Sequence, residues 1–158
     1  MNHLEQLRYL ILAAQREGNR VLQQELAPLG LTPAQSEALR ILGENESLTL
    51  TGLGEMLVCE SGTNPSRLVD RLVISGLVRR NPGSGDRRQI ELSLTESGRE
   101  MEVRVRAIEA QLYELMAGAL PDPSVMDMIR ALKTITAGSP SGIALTRRIG
   151  SATEVTKP

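Results

Sequence analysis

The residues best suited to chemistry lie between Ser61 and Arg88. Ser61, Thr63, Asn64, Ser66 and Arg67 fall within one short stretch, Arg71 follows a helical turn later, and Asp86, Arg87 and Arg88 sit together beyond a Gly- and Pro-rich segment. They are hydrogen-bonding and cationic groups, with no nucleophile–base pair among them. Asn can pair with the edge of adenine, Arg with that of guanine, and Ser or Thr with several acceptors. The set therefore points to double-stranded DNA rather than to catalysis. Charge agrees: residues 61–90 carry six arginines against two aspartates, whereas residues 1–60 carry four arginines against eight glutamates, in a chain of net charge −1. A compact cationic segment in an acidic protein is an electrostatic footprint for a polyanion. On charge alone, a solvated surface with chance clustering is the competing explanation.

The same side chains have local explanations. Ser, Thr and Asn favour helix starts, and for Ser61 capping outweighs base contact. Asn64 and Arg67 are assigned to base edges, Arg71 to phosphate, and Pro65 to fixing the first turn. Arg87 and Arg88 suit a minor groove, where narrow A·T tracts concentrate negative potential. As a plain surface pair with Asp86 they would contribute little.

The elements that must position these groups follow from periodicity. Leu4, Leu7, Ile11, Ala14, Val21, Leu22 and Leu26 recur at helical spacing, giving a helix over 3–27 that Pro28 and Gly30 end. Thr32-Pro33-Ala34-Gln35 combines a cap, a first-turn proline and a residue able to bond back to the cap, so a second helix starts there and runs to Gly43. A short third helix spans about 49–58, weakened by Gly52 and Gly54, and a fourth covers about 63–75. A short helix, a break and a second, basic helix make a helix-turn-helix. Residues 77–80 and 89–94 read as strands, the second with Ile90, Leu92 and Leu94 on one face, joined by a charged hairpin loop. Met101, Val105, Ile108, Leu112, Leu115 and Ala119 alternate spacings of four and three along a helix over 95–119, a seam that implies a partner helix. A sixth helix spans 122–137. Residues 138–158, polar and Thr-rich, read as a mobile tail in which 143–149 could form a turn of helix. The fold class is mainly α with a small β-hairpin wing (α+β). One domain, 1–137, holds a winged helix-turn-helix at about 31–94 between N- and C-terminal dimerisation helices.

Composition excludes much else. Tyr9 and Tyr113 are the only aromatic residues, which disfavours stacking recognition of RNA. One cysteine, Cys59, and one histidine, His3, leave no disulfide framework, structural zinc site or histidine triad. No cofactor, no metal and no enzymatic activity are expected. No apolar run is long enough to span a bilayer and no signal peptide is visible, so the cytoplasm is the expected location, without membrane association. Cys59, at the break before the fourth helix, is either a small apolar filler or a thiol activated by the helix N-terminus; the filler is favoured.

In order and spacing, Leu31-Thr32-Pro33-Ala34-Gln35, Ser66-Arg67-Leu68-Val69-Asp70-Arg71-Leu72, Gly76-Leu77-Val78-Arg79-Arg80, Asp86-Arg87-Arg88 and Leu92-Ser93-Leu94-Thr95-Glu96-Ser97-Gly98-Arg99 resemble the MarR family over residues 31–99. The stretch Cys59–Pro65 departs from the family's usual opening of the recognition helix. The resemblance implies a homodimer formed by the first, fifth and sixth helices, a recognition helix at about 61–75, and a wing at 77–94 in which Asp86 orients Arg88 near the minor groove. It also implies a cytoplasmic bacterial regulator, commonly a repressor, that binds a pseudo-palindromic operator. A small, often aromatic or phenolic, effector releases it, and Tyr9 and Arg16 on the first helix are candidate lining residues. Two alternatives stand beside it: a winged-helix protein-interaction module that does not touch DNA, and a redox sensor acting through Cys59.

Overall fold

Caps and stop signals in the sequence set the order of elements. The computed structural model describes residues 2–58, 64–83 and 89–155. The chain runs through α1 (His3–Leu26), a 3-10 turn (Ala27–Leu29), α2 (Pro33–Gly43), β1 (Leu48–Thr49), α3 (Leu50–Gly54) and α4 (Pro65–Ile74). It continues through β2 (Val78–Pro82), β3 (Ile90–Leu94), α5 (Glu96–Ala119), α6 (Asp122–Thr136) and α7 (Pro140–Val155). The architecture is a winged helix-turn-helix flanked by long helices, mainly α with one small antiparallel sheet.

Local chemistry accounts for the boundaries. Thr32 Oγ1 accepts from Gln35 N–H at 3.3 Å and Gln35 Oε1 accepts from Thr32 N–H at 2.9 Å, a reciprocal cap that starts α2. At the end of α4, Gly76 takes φ +73°. Gly76 N–H then donates to Val73 O at 3.0 Å and Leu77 N–H to Leu72 O at 2.9 Å, the closure that a left-handed glycine permits. Thr95 caps α5, its Oγ1 accepting from Gly98 N–H at 2.9 Å while its hydroxyl donates to Gly76 O at 2.6 Å. Gly98 is required here, because a Cβ would stand 1.9 Å from the Leu77 carbonyl oxygen. The bare glycine lets α5 start directly on the root of the wing.

The sheet order is β1-β3-β2, all antiparallel, with Leu48 opposite Leu92, Val78 opposite Leu94 and Pro82 opposite Ile90. Leu39, Leu42, Leu53, Val69, Leu72 and Leu92 form the centre of the core, and Val105 of α5 and Leu26 of α1 join it from outside the helix-turn-helix. The core contains no Phe or Trp, so branched aliphatic side chains fill it.

Four expectations need correction. The third helix ends at Gly54 rather than at 58. Besides the two weak glycines, the Glu37 carboxylate captures Val58 N–H at 2.9 Å, so that donor is satisfied outside any helical ladder. The hairpin gains a third strand, β1, too short to carry a periodicity signal. Ile90 does not share the buried face of Leu92 and Leu94 and is 57% exposed; it lies at the far end of the hairpin, beyond the core. Within the segment read as a mobile tail, Pro140–Val155 form α7. Ser139 Oγ accepts from Gly142 N–H at 3.1 Å, and Pro140 opens the helix, the same cap-and-proline start seen at Thr32-Pro33. Ala144 is buried, and Arg147 and Arg148 pair with Glu55 and Glu37 at 3.0 and 3.1 Å.

A cluster of charge joins α2 to α5. Arg40 meets Glu109 and Glu44, each at 2.9 Å, and also Glu102, which Arg106 reaches at 2.8 Å. Glu102 is almost fully buried. Burial alone would lower the Arg40 pKa, but its hydrogen bonds and attraction to Glu102, Glu44 and Glu109 outweigh this and the net shift is upward. Truncating one member of such a cluster leaves buried charge uncompensated. Arg40→Met should therefore cost roughly 3–5 kcal/mol of unfolding free energy, read as a lower urea midpoint at unchanged slope; a change below about 1 kcal/mol would show the cluster to be energetically idle.

Candidate nucleic-acid interface

Helix α4 presents two faces. Leu68, Val69 and Leu72 point into the core, while Asn64, Arg67, Arg71 and Ile74 are exposed at spacings of three, four and three, which is one stripe on a helix. The guanidinium groups of Arg67 and Arg71 make no ion pair or hydrogen bond with any described residue. They stand free on a helix whose inner face is fixed, the arrangement needed to offer cations to an external partner.

Asn64 is the N-cap of α4: its Oδ1 accepts from Ser66 N–H at 3.0 Å. The cap expected at Ser61 is thus made three residues later, and Asn64, expected on a base edge, has its oxygen engaged locally. Its amide NH₂ remains a donor. Ser66 is half-buried behind this cap. Ser61, Thr63, Cys59 and the wing-tip residues Asp86, Arg87 and Arg88 lie outside the described residues.

The wing root is tied to α4. Arg80 of β2 pairs with Asp70 of α4 at 2.5 Å, and Ser93 Oγ accepts from Arg79 Nε at 3.0 Å and from Asn81 Nδ2 at 2.9 Å. The first contact ties β2 to α4, and the two at Ser93 tie β2 to β3 within the hairpin. Sequence inspection counted Arg79 and Arg80 only as charge and missed Ile74, although an apolar residue in line with Asn64, Arg67 and Arg71 was a visible signal.

Tyr9 and Arg16, the candidate effector residues, are exposed on α1, with the Arg8 guanidinium 5.0 Å from the Tyr9 ring centre. A cavity of about 440 Å³ lies elsewhere, between α6 and α7, lined by Lys133, Thr136, Ile143, Leu145, Arg147 and Ile149 among others; neither Tyr9 nor Arg16 reaches it. Among the described residues no group of three or more His, Cys, Asp or Glu side chains could hold a metal ion. No described helix is long and apolar enough to cross a membrane.

Residues 31–90, which contain the helix-turn-helix and most of the wing, match the model of the MarR family. The multiple antibiotic resistance protein MarR of Escherichia coli is 32% identical over 97 residues, covering 61% of this chain and 67% of that protein. The chain belongs to the MarR family. The organic hydroperoxide resistance transcriptional regulator of Bacillus subtilis is 37% identical over 93 residues, 59% of this chain. The match spans 63% of that relative, less than two thirds of its length. Among solved structures, a cysteine-to-serine variant of E. coli MarR complexed with operator DNA superposes with a TM-score of 0.73 at 27% identity, over 85% of this chain and 96% of the other. The same variant without DNA gives 0.64 at 26% identity, over 85% and 97%. This MarR-family chain is therefore closer in shape to the operator-bound form of that relative than to its free form.

The cap at Asn64 gives a direct test of the local geometry. Asn64→Ala should lower stability by about 1 kcal/mol and Asn64→Ser, which caps equally well, should restore it. Equal thermal midpoints for all three proteins would show that Oδ1 does not hold the start of α4.

Proposed function

We propose that this MarR-family protein is a homodimeric, sequence-specific DNA-binding transcriptional regulator, acting as a repressor. The observation that carries the reading is the outward Arg67–Arg71 stripe on α4, unpaired among the described residues, with the capping residue Asn64 at one end and β2 of the wing tied to the helix by Arg80 and Asp70. A helix presented in this way can lie in the major groove with its N-terminal residues on base edges. Arg67 reads guanine, the Asn64 amide donates to a base acceptor, Arg71 meets phosphate, and Ile74 offers apolar surface to a thymine methyl. Ser61, Thr63 and Ser66 are assigned to DNA in the same reading, and Arg87 and Arg88, oriented by Asp86, to the flanking minor groove.

The case for a dimer rests on surface that one chain leaves uncovered. Leu4 is 79% exposed on α1, Leu115 is 70% exposed on α5 and Ile135 is 61% exposed on α6. Met126, Met128, Ile129 and Leu132 add to the α6 face, and no residue of α6 is buried. Val105 is fully buried against the core, so the α5 seam is satisfied at its start and open towards its end. Apolar surface on this scale marks an interaction site, and a second copy offers the matching faces with twofold symmetry. Sedimentation should give a dimer at micromolar concentration. Leu112→Glu, on the seam, should shift the species towards monomer and weaken DNA binding at the same time, because two half-sites must be engaged together.

A twofold dimer should select a pseudo-palindrome with half-site centres about 10 bp apart. A titration against the selected operator and a scrambled duplex tests the whole reading. Arg67→Ala should cost roughly 1–3 kcal/mol and relax preference at one base per half-site, whereas Arg71→Ala should weaken both duplexes alike and reduce the salt slope by about one. Operator affinity should fall by roughly a thousandfold or more between about 50 and 200 mM salt. Equal wild-type affinity for the two duplexes would reject sequence-specific regulation. Release by a small aromatic or phenolic effector near Tyr9 and Arg16 is part of the same proposal; a ligand acts by favouring a dimer geometry that no longer matches the operator, and the titration repeated with aromatic acids checks it.

A further inference from the structure

Helix α7 reaches back from the C-terminal region to the two helices that precede α4. Arg148 Nη1 lies 3.1 Å from Glu37 Oε1, and that same oxygen accepts the Val58 N–H at 2.9 Å. Val58 is the last described residue before the segment 59–63 that leads into α4. The Glu37 side chain is only 5% exposed, so its carboxylate holds the Val58 amide and the Arg148 guanidinium where water screens them weakly. A second pair, Arg147 with Glu55 at 3.0 Å, joins α7 to the residue capping α3. Both of its members are about half exposed, so it contributes little by itself.

The other end of α7 is fixed as well. Gly142, in its first turn, sits so close to the end of α6 that a Cβ would come within 2.1 Å of the Thr136 carbonyl oxygen. Ala144 is buried, and Arg148 follows it one turn later on the same face. Helix α7 thus runs from the end of α6 to the Glu37 carboxylate that holds Val58 N–H. The shape in which these contacts are made is the one nearer the operator-bound relative, 0.73 against 0.64.

We infer that Arg148 is a positioning residue for DNA recognition: through Glu37 it fixes the Val58 backbone, and with it the placement of α4, tying the C-terminal helices to the recognition helix. The inference rests on the proposed DNA-binding function, but its structural half can be tested without DNA. The full chain and its Arg148→Gln, Arg148→Lys and Arg147→Gln variants are compared by amide exchange at Val58, by sedimentation, and by titration against operator and scrambled duplex. Arg148→Gln should speed Val58 exchange and weaken operator binding by about tenfold each, leave the sedimentation coefficient unchanged and alter scrambled-duplex binding far less. Arg148→Lys should recover most of both effects, and Arg147→Gln should change neither by more than about threefold. Unchanged Val58 exchange in Arg148→Gln would overturn the inference, as would faster exchange with operator affinity intact. Should the wild type fail to prefer operator, the DNA-recognition reading falls; Val58 exchange then decides alone, with faster exchange in Arg148→Gln and rescue by Lys retaining Arg148 as the residue that sets this backbone, and no change removing it.

Discussion

Arg40 is the point through which the two parts of the molecule are joined. It lies on α2, the first helix of the DNA-binding lobe as proposed, and its carboxylate partners Glu102 and Glu109 lie on α5, the long helix that leaves that lobe. An apolar contact alone would allow α5 to slide or rotate against α2 at small cost. A planar guanidinium fixed by carboxylates from several directions does not, because each donor has its own required angle. Replacing the whole cluster by apolar side chains could be neutral for stability; what the charges add is one particular register between the lobes. Among the described residues no buried side-chain nitrogen or oxygen lacks a partner, so the cluster holds that register without an unsatisfied polar group.

Glu37 lies one turn before Arg40 on the same helix and does the corresponding work on the other side. Arg40 ties α2 to α5, and Glu37 ties it to the end of the α3 turn and to α7. Helix α2 therefore carries two charged anchors within four positions, Glu37 buried and Arg40 partly buried, beside Ala38, Leu39 and Ile41, all fully buried. Apolar burial supplies the driving force for this assembly, and the charged pair selects among the geometries that burial would accept. The wing is placed by a third kind of constraint, the closeness of Gly98 to Leu77 and the Thr95 bond to Gly76. No single long-range contact orients α4; it is held from its start, its end and its buried face.

Much of this was legible in the sequence because it is written in local chemistry. The Thr32-Pro33-Gln35 start, the Ser75-Gly76 stop and the Thr95 cap each need only neighbours within a few positions, and the structure places the bonds where those residues demand them. The outward placement of Arg67 and Arg71 followed from the inward spacing of Leu68 and Leu72. The end of α3 was not legible, since it depends on Glu37, a residue more than twenty positions away whose carboxylate takes a backbone donor. Strand β1 was invisible because two residues cannot display an alternation. Helix α7 was misjudged because the run Gly138-Ser139-Pro140-Ser141-Gly142 was read as the start of a tail, which outweighed the Ser139-Pro140 start that the same logic had accepted at Thr32-Pro33. Asn64 shows the opposite limit: cap and base reader demand the same side chain, and only coordinates assign its oxygen to Ser66.

The charge pattern takes on a different meaning once the fold is known. The acidic residues of the first sixty positions are not a uniform counterweight to the basic segment. Glu37 is buried, Glu44 belongs to the Arg40 cluster and Glu55 faces Arg147. Basic residues divide in the same manner: Arg40, Arg106, Arg147 and Arg148 are held by carboxylates, whereas among the described residues no carboxylate pairs with Arg67 or Arg71. Net charge by segment therefore understates the contrast, because the paired arginines contribute little field at a distance. A partner approaching α4 meets Arg67 and Arg71, which no described carboxylate neutralises. Any anion drawn there by the field meets a helix already packed against α2, α3 and β2, so little ordering of α4 remains to oppose binding.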